Sequence, residues 1–518
     1  MTIFARIAAA CLLTVPAAIS QTPGQAACDA LGNLQIPGVA LSETKSQWFP
    51  AGPAPSAPNA SAPSPTLPAY CRLDGTIDRR TGANGVTYGI RFALALPADW
   101  NGRFLMQGGG GLNGSVQNPL GPSAAGAQPA LARGFAVVST DTGHQGRVFD
   151  PSFMRDQQAS LDFAYAAIGR VAELAKRIVA AHYGRPAARS YFTGCSTGGR
   201  EAMMMSQRYP SYFDGIVVGA PAMRTGFSGI GDRWVAVTLN EIAPKDSSGA
   251  PNTREAFSES DKKTVIDGLL KACDGADGLD DRMIFNAGCR FDPKTLVCKG
   301  EKVEGCISSG QAAVLEKAFA GPKDSKGRQV YPGFPFDTGI AATKGIPGLL
   351  YGGSNPVGAP FTEIGMDVDA ARDRALSDPA EGLTATSRWT NLNAFSGHGG
   401  KLIFWHGMSD PWFSALDTLD YYNRMAKENG GVETVRDWSR LFLVPGMGHC
   451  AGGAETLDSF DALSAVVKWV EQGAAPESLT ATGRASPGRS RPLCAWPSHA
   501  HYKGQGNPED ASSFECRN

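Results

Sequence analysis

Apolar residues recur with two different periods along the first 220 residues of the chain. Positions 85–97 alternate between apolar and polar side chains, which predicts a half-buried strand. Short, nearly continuous apolar runs predict buried strands at 103–107, 134–141, 190–194 and 214–220. Helical spacing of apolar residues predicts helices at 161–182 and 199–208. This order of strands and helices is typical of a parallel sheet covered by helices.

The alternation stops after residue 222 and resumes near residue 400. Strands are predicted at 401–406 and 440–444, followed by a closing helix at 459–472. The intervening residues 223–396 contain four cysteines, many glycines and a run of aspartates, so we interpret them as an inserted lid domain. The surrounding domain is then divided into 21–222 and 397–518.

Two stretches of the surrounding domain lack a strand or helix pattern. Residues 51–68 are rich in Pro, Ala and Ser and predict a loop or a strap along the surface. Residues 474–518 are interpreted as a tail, tied down by cysteines.

The N-terminus has the three parts of a secretory signal. Arg6 supplies the positive start, positions 7–18 an apolar stretch, and Ala18 to Ser20 a small-residue cleavage site. We therefore expect residues 1–20 to be a signal peptide and the protein to be secreted or periplasmic. The apolar stretch is too short to cross a bilayer and no other is long enough, so we expect no membrane span.

Composition narrows the classes of function. The chain has 518 residues and a formal net charge of −1, without a basic patch, which argues against a nucleic-acid partner. Cys11 lies in the predicted signal, and an even number of cysteines in an exported chain predicts disulfide bonds. Zinc binding is the alternative, but no Cys-x-x-Cys pair supports it. The remaining cysteines are Cys28, Cys71, Cys195, Cys273, Cys289, Cys298, Cys306, Cys450, Cys494 and Cys516.

A Gly-x-Ser-x-Gly motif surrounds Ser196. The motif follows a predicted strand and precedes a predicted helix, which is the context of a nucleophile elbow. A phosphate-binding loop or a plain turn is the alternative. A phosphate loop favours Lys near its end, and Arg200 replaces it poorly. We therefore predict that Ser196 is a nucleophile.

A matching His-Cys pair lies about 250 residues downstream, at His449 and Cys450. A serine nucleophile needs an imidazole within hydrogen-bond reach. If Ser196 and His449 meet, then Cys195 and Cys450 come close together as well, and a disulfide between them would tie the nucleophile to its base.

Asp410 follows the predicted strand 401–406 and is the candidate third member of a catalytic triad. Its carboxylate would orient the imidazole of His449. The alternative is that Asp410 only caps the next helix. His406, at the strand end, is interpreted as a packed, hydrogen-bonded residue rather than as the base.

An oxyanion hole requires backbone N–H groups that point at the developing charge. One is predicted from Thr197, directly after the nucleophile. Another is predicted from the glycines that follow the strand 103–107, with Gly110 and Gly111 as candidates. The alternative for these glycines is a flexible turn.

A run of aspartates and glycines follows Cys273. Carboxylates at Asp274, Asp277 and Asp281 suit a hard cation such as calcium, and the carbonyls of Leu279 and Met283 could complete the shell. The alternative is a solvated acidic loop.

These motifs resemble the tannase and feruloyl esterase family over essentially the whole mature chain. The family carries a Cys-Ser…Asp…His-Cys arrangement with a disulfide beside nucleophile and base, which Cys195, Ser196, Asp410, His449 and Cys450 match. The resemblance implies an α/β-hydrolase fold with an inserted calcium-binding lid domain.

The resemblance also implies structural details outside the triad. The family's calcium loop matches Asp274, Asp277, Leu279, Asp281 and Met283. The remaining cysteines are implied to pair in sequence order, as Cys28–Cys71, Cys273–Cys289, Cys298–Cys306 and Cys494–Cys516.

The favoured function is a secreted serine esterase that hydrolyses small aromatic carboxylic esters. Thr197, after the nucleophile, resembles the feruloyl esterases. A tannase or an esterase similar to mono(2-hydroxyethyl) terephthalate hydrolase is the alternative within the enzyme class. A calcium-stabilised binding protein on an inactive hydrolase scaffold is the alternative from another class. The oligomeric state stays open.

Overall fold

The computed structural model describes residues 24–55, 64–353 and 358–518. The predicted signal at 1–20 and the middle of the Pro/Ala/Ser-rich stretch lie outside these residues. Within the described part of the chain, no helix is long and apolar enough to cross a membrane.

The strands of the described residues are β1 (Leu41–Phe49), β2 (Gly52–Pro53), β3 (Thr66–Leu67), β4 (Tyr70–Thr81), β5 (Thr87–Pro97), β6 (Arg103–Gln107), β7 (Ala136–Thr140), β8 (Arg189–Cys195), β9 (Gly215–Gly219), β10 (Lys401–Gly407), β11 (Ser439–Val444), β12 (Ser459–Phe460), β13 (Ser478–Thr482), β14 (Ser490–Cys494), β15 (His499–Tyr502) and β16 (Phe514–Arg517). Nine of them form the central sheet, in the order β1-β4-β5-β7-β6-β8-β9-β10-β11. The strands from β7 to β11 in this order are parallel. The other three extend the sheet as antiparallel strands. This arrangement agrees with the predicted α/β fold.

The apolar pattern located the buried strands of this sheet but missed β1 and β4. Both lie at the antiparallel end of the sheet. β1 is only partly buried along its length, and its pairing with β4 shifts register between Ser42 and Lys45. A strand with polar side chains and a bulge lacks the alternation by which strands are recognised.

The α-helices of the described residues are α1 (Gln25–Ala30), α2 (Gln157–Leu161), α3 (Ala167–Tyr183), α4 (Thr197–Arg208), α5 (Thr225–Leu239), α6 (Glu259–Cys273), α7 (Ser309–Ala320), α8 (Val368–Ser377), α9 (Pro379–Thr384), α10 (Asn393–Gly397), α11 (Ala415–Glu428), α12 (Val432–Arg436) and α13 (Ala462–Gln472). The predicted helix at 161–182 therefore includes a π-helical turn, Asp162–Ala166, before α3. The closing helix begins at Ala462 rather than at residue 459, because Ser459 and Phe460 pair with β13.

Apolar side chains cover both faces of the central sheet. One core contains residues of α3, α4 and α11, including Met203, Met204 and Met205. The opposite core contains residues of α13 and of the 120–135 loop. The sheet is thus enclosed between two layers, which is the usual condition of parallel strands.

The regular elements described between β9 and β10 are helices, and this part of the chain has hydrophobic cores of its own. One of them includes Val235, Phe257, Leu315 and Phe319. The described part of this region is joined to the sheet by polar contacts around α11. There, the hydroxyl of Ser414 donates to the carbonyl of Gly333. The domain boundaries at 223 and 396 stay predictions.

The C-terminal residues, interpreted as a tail, are tied by the Cys494–Cys516 disulfide and also form strands. Strands β12, β13 and β14 form a three-stranded sheet, while β15 and β16 pair with each other. The amide of Trp496 donates to the carbonyl of Leu441 at 2.8 Å, which attaches this segment to the edge strand β11. Short strands with polar outward positions carry a weak sequence signal, so the segment was recognisable only in the folded chain.

The described residues contain five disulfide bonds, and their pairing is the one that the sequence and the resemblance imply. The bonds are Cys28–Cys71, Cys195–Cys450, Cys273–Cys289, Cys298–Cys306 and Cys494–Cys516.

Candidate active site

Ser196 lies in a strained turn between β8 and α4. Its backbone angles are φ 65° and ψ −124°, a conformation that a residue with a side chain rarely adopts. Such a conformation costs on the order of 1–3 kcal/mol and persists only where the surroundings impose it. Here the amide of Ser196 donates to the carbonyl of Gly219 at 3.1 Å, which attaches the turn to the neighbouring strand β9.

The glycines around Ser196 are required by close backbone approach. A Cβ atom at Gly198 would lie 2.7 Å from the carbonyl oxygen of Gly109. A Cβ atom at Gly199 would overlap the carbonyl oxygen of Gly219. The turn therefore packs closely against the backbone at the ends of β6 and β9, as expected for a nucleophile elbow.

His449 and Asp410 form a direct hydrogen bond. The distance from His449 Nδ1 to Asp410 Oδ2 is 2.7 Å. The second carboxylate oxygen accepts from the amides of Trp412 and Phe413 at 2.9 and 3.0 Å. Burial opposes the ionisation of Asp410. The charge of His449 and the hydrogen bonds from the imidazoles of His406 and His449 nevertheless hold the pKa of Asp410 below its usual range. The acid is thus an ionised, oriented partner for the imidazole.

A second imidazole, that of His406, lies beside the same carboxylate. His406 Nε2 is 3.3 Å from Asp410 Oδ2 and 2.9 Å from the carbonyl of Phe413. Its Nδ1 is 2.8 Å from the hydroxyl of Thr418. His406 is completely buried, which agrees with its interpretation as a packed residue. The sequence analysis did not predict the contact between His406 and Asp410. The available signal was their spacing of four residues at the end of a strand.

The disulfide between Cys195 and Cys450 places the two halves of the site side by side. Their Cα atoms are 6.0 Å apart, although 255 residues separate them in sequence. The Sγ of Cys450 is 3.7 Å from His449 Nε2, so this nitrogen faces the disulfide side of the site. No hydrogen bond joins the hydroxyl of Ser196 to His449 among the described contacts. Such hydrogen bonds are often long in ligand-free structures and shorten when substrate binds.

The glycine loop after β6 is held by a buried carboxylate. Glu201 accepts from the amide of Gly109 at 3.0 Å and from the side-chain amide of Asn113 at 2.6 Å. The hydroxyl of Thr197 donates to the carbonyl of Gly111. The amides of Gly110 and Gly111 donate to none of the described residues. The N–H group of Gly109 is therefore occupied by a hydrogen bond, while those of the predicted oxyanion-hole glycines, Gly110 and Gly111, are available to an oxyanion.

Glu201 and Asn113 were not identified from the sequence. Glu201 is 1% exposed, and burial raises its pKa. A charged residue on the predicted helix at 199–208 carries no sequence signal that distinguishes a buried carboxylate from a solvated one. Only the approach of the glycine loop to α4 reveals its contact.

Two aromatic side chains lie beside His449, and a third packs against one of them. The ring centroids of Trp412 and Phe413 are 4.9 and 5.2 Å from the imidazole. Phe149 contacts Trp412 edge to face at 5.8 Å. A cavity of about 160 Å³ is lined by His449, by Lys344 and by several glycines. His449 therefore contacts both aromatic rings and a small glycine-lined cavity.

The aspartates of the predicted calcium segment are buried and hydrogen-bonded. Asp274 accepts from the amide of Arg282 at 2.8 Å, but its other oxygen, Oδ1, is buried without a partner. Burial and the charge of Asp281 raise the pKa of Asp277 to about 7. Burial also raises the pKa of Asp274.

Asp281 differs from the other two aspartates because it pairs with arginine. Its Oδ2 accepts from Nη2 of the fully buried Arg491, and Arg489 lies 3.9 Å away. The sequence did not indicate either arginine. In the described residues, no three His, Cys, Asp or Glu side chains are arranged to hold a metal ion.

Residues 75–349 and 358–517 match the family of tannase and feruloyl esterase. The chain belongs to this family. The protein is accordingly a carboxylic ester hydrolase.

Individual relatives of this esterase align over nearly their whole length. Mono(2-hydroxyethyl) terephthalate hydrolase of Piscinibacter sakaiensis is 37% identical over 95% of this chain and 92% of its own. A probable feruloyl esterase of Arthroderma benhamiae is 29% identical over 94% and 93% of the two chains. The crystal structure of feruloyl esterase B from Aspergillus oryzae superimposes with a TM-score of 0.76 at 26% identity, covering 95% and 100%. The esterase therefore shares its complete fold with this family.

We expect the disulfide between Cys195 and Cys450 to matter for turnover as well as for stability. Their bond closes a loop of 255 residues, for which chain entropy gives about 5 kcal/mol. It also fixes the backbone beside Ser196 and His449, where a small misplacement can cost about 10²-fold in rate. Changing both cysteines to alanine should therefore lower kcat even well below the melting temperature.

The matched control changes Cys494 and Cys516 to alanine. This bond closes a loop of 22 residues, worth about 3 kcal/mol, and lies away from His449. The control should lose stability and keep kcat. Equal turnover in both double variants, each measured below its own melting temperature, would contradict the role given to the Cys195–Cys450 bond.

Proposed function

We propose that this esterase is a serine hydrolase that uses Ser196, His449 and Asp410 as a catalytic triad. The observation that carries the proposal is the 2.7 Å hydrogen bond between His449 and the buried carboxylate of Asp410, together with the strained turn of Ser196. In this mechanism, the hydroxyl of Ser196 attacks the ester carbonyl while His449 takes its proton. His449 then returns the proton to the leaving alcohol, and an acyl-enzyme remains.

Water then hydrolyses the acyl-enzyme, with His449 acting again as the base and then as the acid. His449 removes a proton from water, the hydroxide attacks the acyl-enzyme, and Ser196 is released with its proton restored. Asp410 holds the imidazole in the tautomer that accepts at Nε2 and stabilises the imidazolium that forms. The amides of Thr197, Gly110 and Gly111 are the proposed donors to the oxyanion.

We further propose that the substrates are small aromatic carboxylic esters. The aromatic wall of Phe149, Trp412 and Phe413 beside His449 supports this proposal, because aromatic rings favour stacked and edge-to-face contacts. The names of the relatives, which include a feruloyl esterase and a terephthalate monoester hydrolase, agree with it. Thr197 favours a feruloyl ester among these, and a tannase-like activity is the alternative.

We also propose that the protein is exported and that it binds calcium. Five disulfide bonds support a secreted or periplasmic location, because disulfides persist in oxidising compartments. We propose a structural calcium ion at Asp274, Asp277 and Asp281, because carboxylate oxygens are ligands that calcium prefers. The unpartnered Oδ1 of Asp274 supports the proposal, as does the burial of Asp277 beside the charge of Asp281, which raises the pKa of Asp277.

We expect Ser196→Ala to abolish ester hydrolysis while the protein stays folded. Loss of a triad member typically costs about 10⁴ or more in turnover. The measurement is the rate on methyl ferulate, methyl gallate and mono(2-hydroxyethyl) terephthalate, side by side, with circular dichroism as the control for folding. Fluorophosphonate should label the wild type at Ser196. An unlabelled wild type would favour the binding-protein alternative, and substantial turnover by the folded variant would reject Ser196 as the nucleophile.

We expect Trp412→Ala to discriminate between aromatic and aliphatic acyl groups. Removing one face of the aromatic wall should lower kcat/KM for methyl ferulate by about 10-fold, which corresponds to an aromatic contact of about 1.4 kcal/mol. The rate on methyl butyrate should change much less. Trp389→Ala is the control, since Trp389 is an exposed tryptophan of the inserted region. Equal losses on both esters would place the acyl ring elsewhere.

We expect exhaustive chelation to lower the melting temperature of the wild type. A cation that binds only the native state stabilises it by mass action. Asp274→Ala should remove this sensitivity, whereas Asp246→Ala, at an exposed loop of the same region, should keep it. A wild type that contains no metal by elemental analysis and does not respond to chelation would support the plain acidic loop.

A further inference from the structure

One buried carboxylate of the inserted region contacts both loops that carry the proposed acid and base. Asp337 Oδ2 accepts from the hydroxyl of Ser409 at 2.6 Å and from the amide of Gly446 at 2.7 Å. Ser409 directly precedes Asp410, and Gly446 lies three residues before His449. Asp337 is 2% exposed, so water does not compete for these hydrogen bonds.

We propose that Asp337 is a positioning residue for the catalytic pair, acting through Ser409 and Gly446. The inference rests on the proposed triad, and it makes the inserted region part of the catalytic machinery rather than only a cover for the substrate. A single oxygen atom of Asp337 bridges the loop that ends at Asp410 and the loop that leads to His449.

Ser409 and Gly339 pack closely at the junction around Asp337. Ser409 receives a hydrogen bond from the amide of Gly339 at 2.9 Å, and its own hydroxyl proton goes to Asp337. A Cβ atom at Gly339 would lie 2.7 Å from the side chain of Ser409 and 2.5 Å from the carbonyl of Gly446. The two loops also contact each other directly, since the amide of Ser409 donates to the carbonyl of Met447 at 2.9 Å.

Removal of the carboxylate would therefore leave two buried donors without an acceptor. A buried unpaired donor is costly, and the loops are expected to move until each finds another partner. Asp337 forms no ion pair with the described residues, so no lysine or arginine would keep the loops in place. Displacement of a reacting group by about 1 Å can cost about 10²-fold in rate.

The test compares Asp337→Ala, Asp337→Asn and Ser409→Ala with the wild type. Asn can place its oxygen where both donors point, so Asp337→Asn should keep kcat within about 5-fold. Asp337→Ala should lower kcat by about 10²-fold and Ser409→Ala by about 10-fold, with KM changed less than about 3-fold in each. The rate of fluorophosphonate labelling at Ser196 should fall in parallel with kcat.

A spectroscopic readout separates positioning from stability. The proton on His449 Nδ1, which bonds to Asp410, should give a low-field NMR resonance in the wild type and in Asp337→Asn. In Asp337→Ala the resonance should shift or broaden. Glu381→Gln is the matched control, because Glu381 is also a buried carboxylate of the inserted region that accepts a glycine amide, that of Gly226 at 2.9 Å. The control should keep the resonance, kcat and the labelling rate.

The outcomes are distinct. Wild-type kcat and labelling in folded Asp337→Ala and Ser409→Ala, even with a lower melting temperature, would overturn the inference and leave Asp337 as a structural brace. An equal loss of kcat in Glu381→Gln would overturn it as well. If Asp337→Ala does not fold, Ser409→Ala decides by the same criteria. Failure of the wild type to be labelled at Ser196 would reject the proposed triad instead.

Discussion

The covalent bond between Cys195 and Cys450 is the constraint on which the site depends. It joins the end of the strand β8 to the loop after β11, although the whole inserted region lies between them in the chain. Each end is rigid for its own reason: Ser196 is held in a left-handed turn by close backbone contacts, and His449 is held by Asp410. The bond therefore limits how far Ser196 and His449 can move relative to each other. A long excursion of the chain therefore returns to within 6.0 Å of its starting point.

Three buried carboxylates position the loops around this junction. Asp410 bonds to the imidazole, Glu201 to the glycine loop, and Asp337 to the two loops that precede the acid and the base. Each is satisfied by amides, hydroxyls or imidazoles instead of a lysine or arginine. Even the neighbouring guanidinium of Arg200 donates to the carbonyls of Phe163 and Ala164. Buried networks of this kind specify a unique geometry, because every member left unpaired is costly.

The proposed nucleophile, base and acid lie on the loops at the carboxyl ends of the parallel strands, which is where α/β folds carry their sites. Trp412 and the cavity at Lys344 lie directly beside His449. Lys344 belongs to the inserted region. Relatives named for different esters can thus share one sheet and one arrangement of loops.

The sequence by itself determined the features that depend on local chain geometry or on residue chemistry. The buried parallel strands were predicted from continuous apolar runs. The turn at Ser196 was predicted from its flanking glycines, which are required because neighbouring backbone approaches them closely. Asp410 and His449 were predicted from their order after the strands, and they do form a hydrogen bond. The strand β1 escaped prediction because it is only partly buried and its pairing is irregular, and the C-terminal strands because they are at most five residues long. The strand β4 was missed although Cys71, Leu73 and Ile77 alternate along it. Glu201, His406, Arg491 and Asp337 also escaped it. Only the tertiary structure decided their roles, because the burial and partners of a polar side chain depend on chain segments that are remote in sequence.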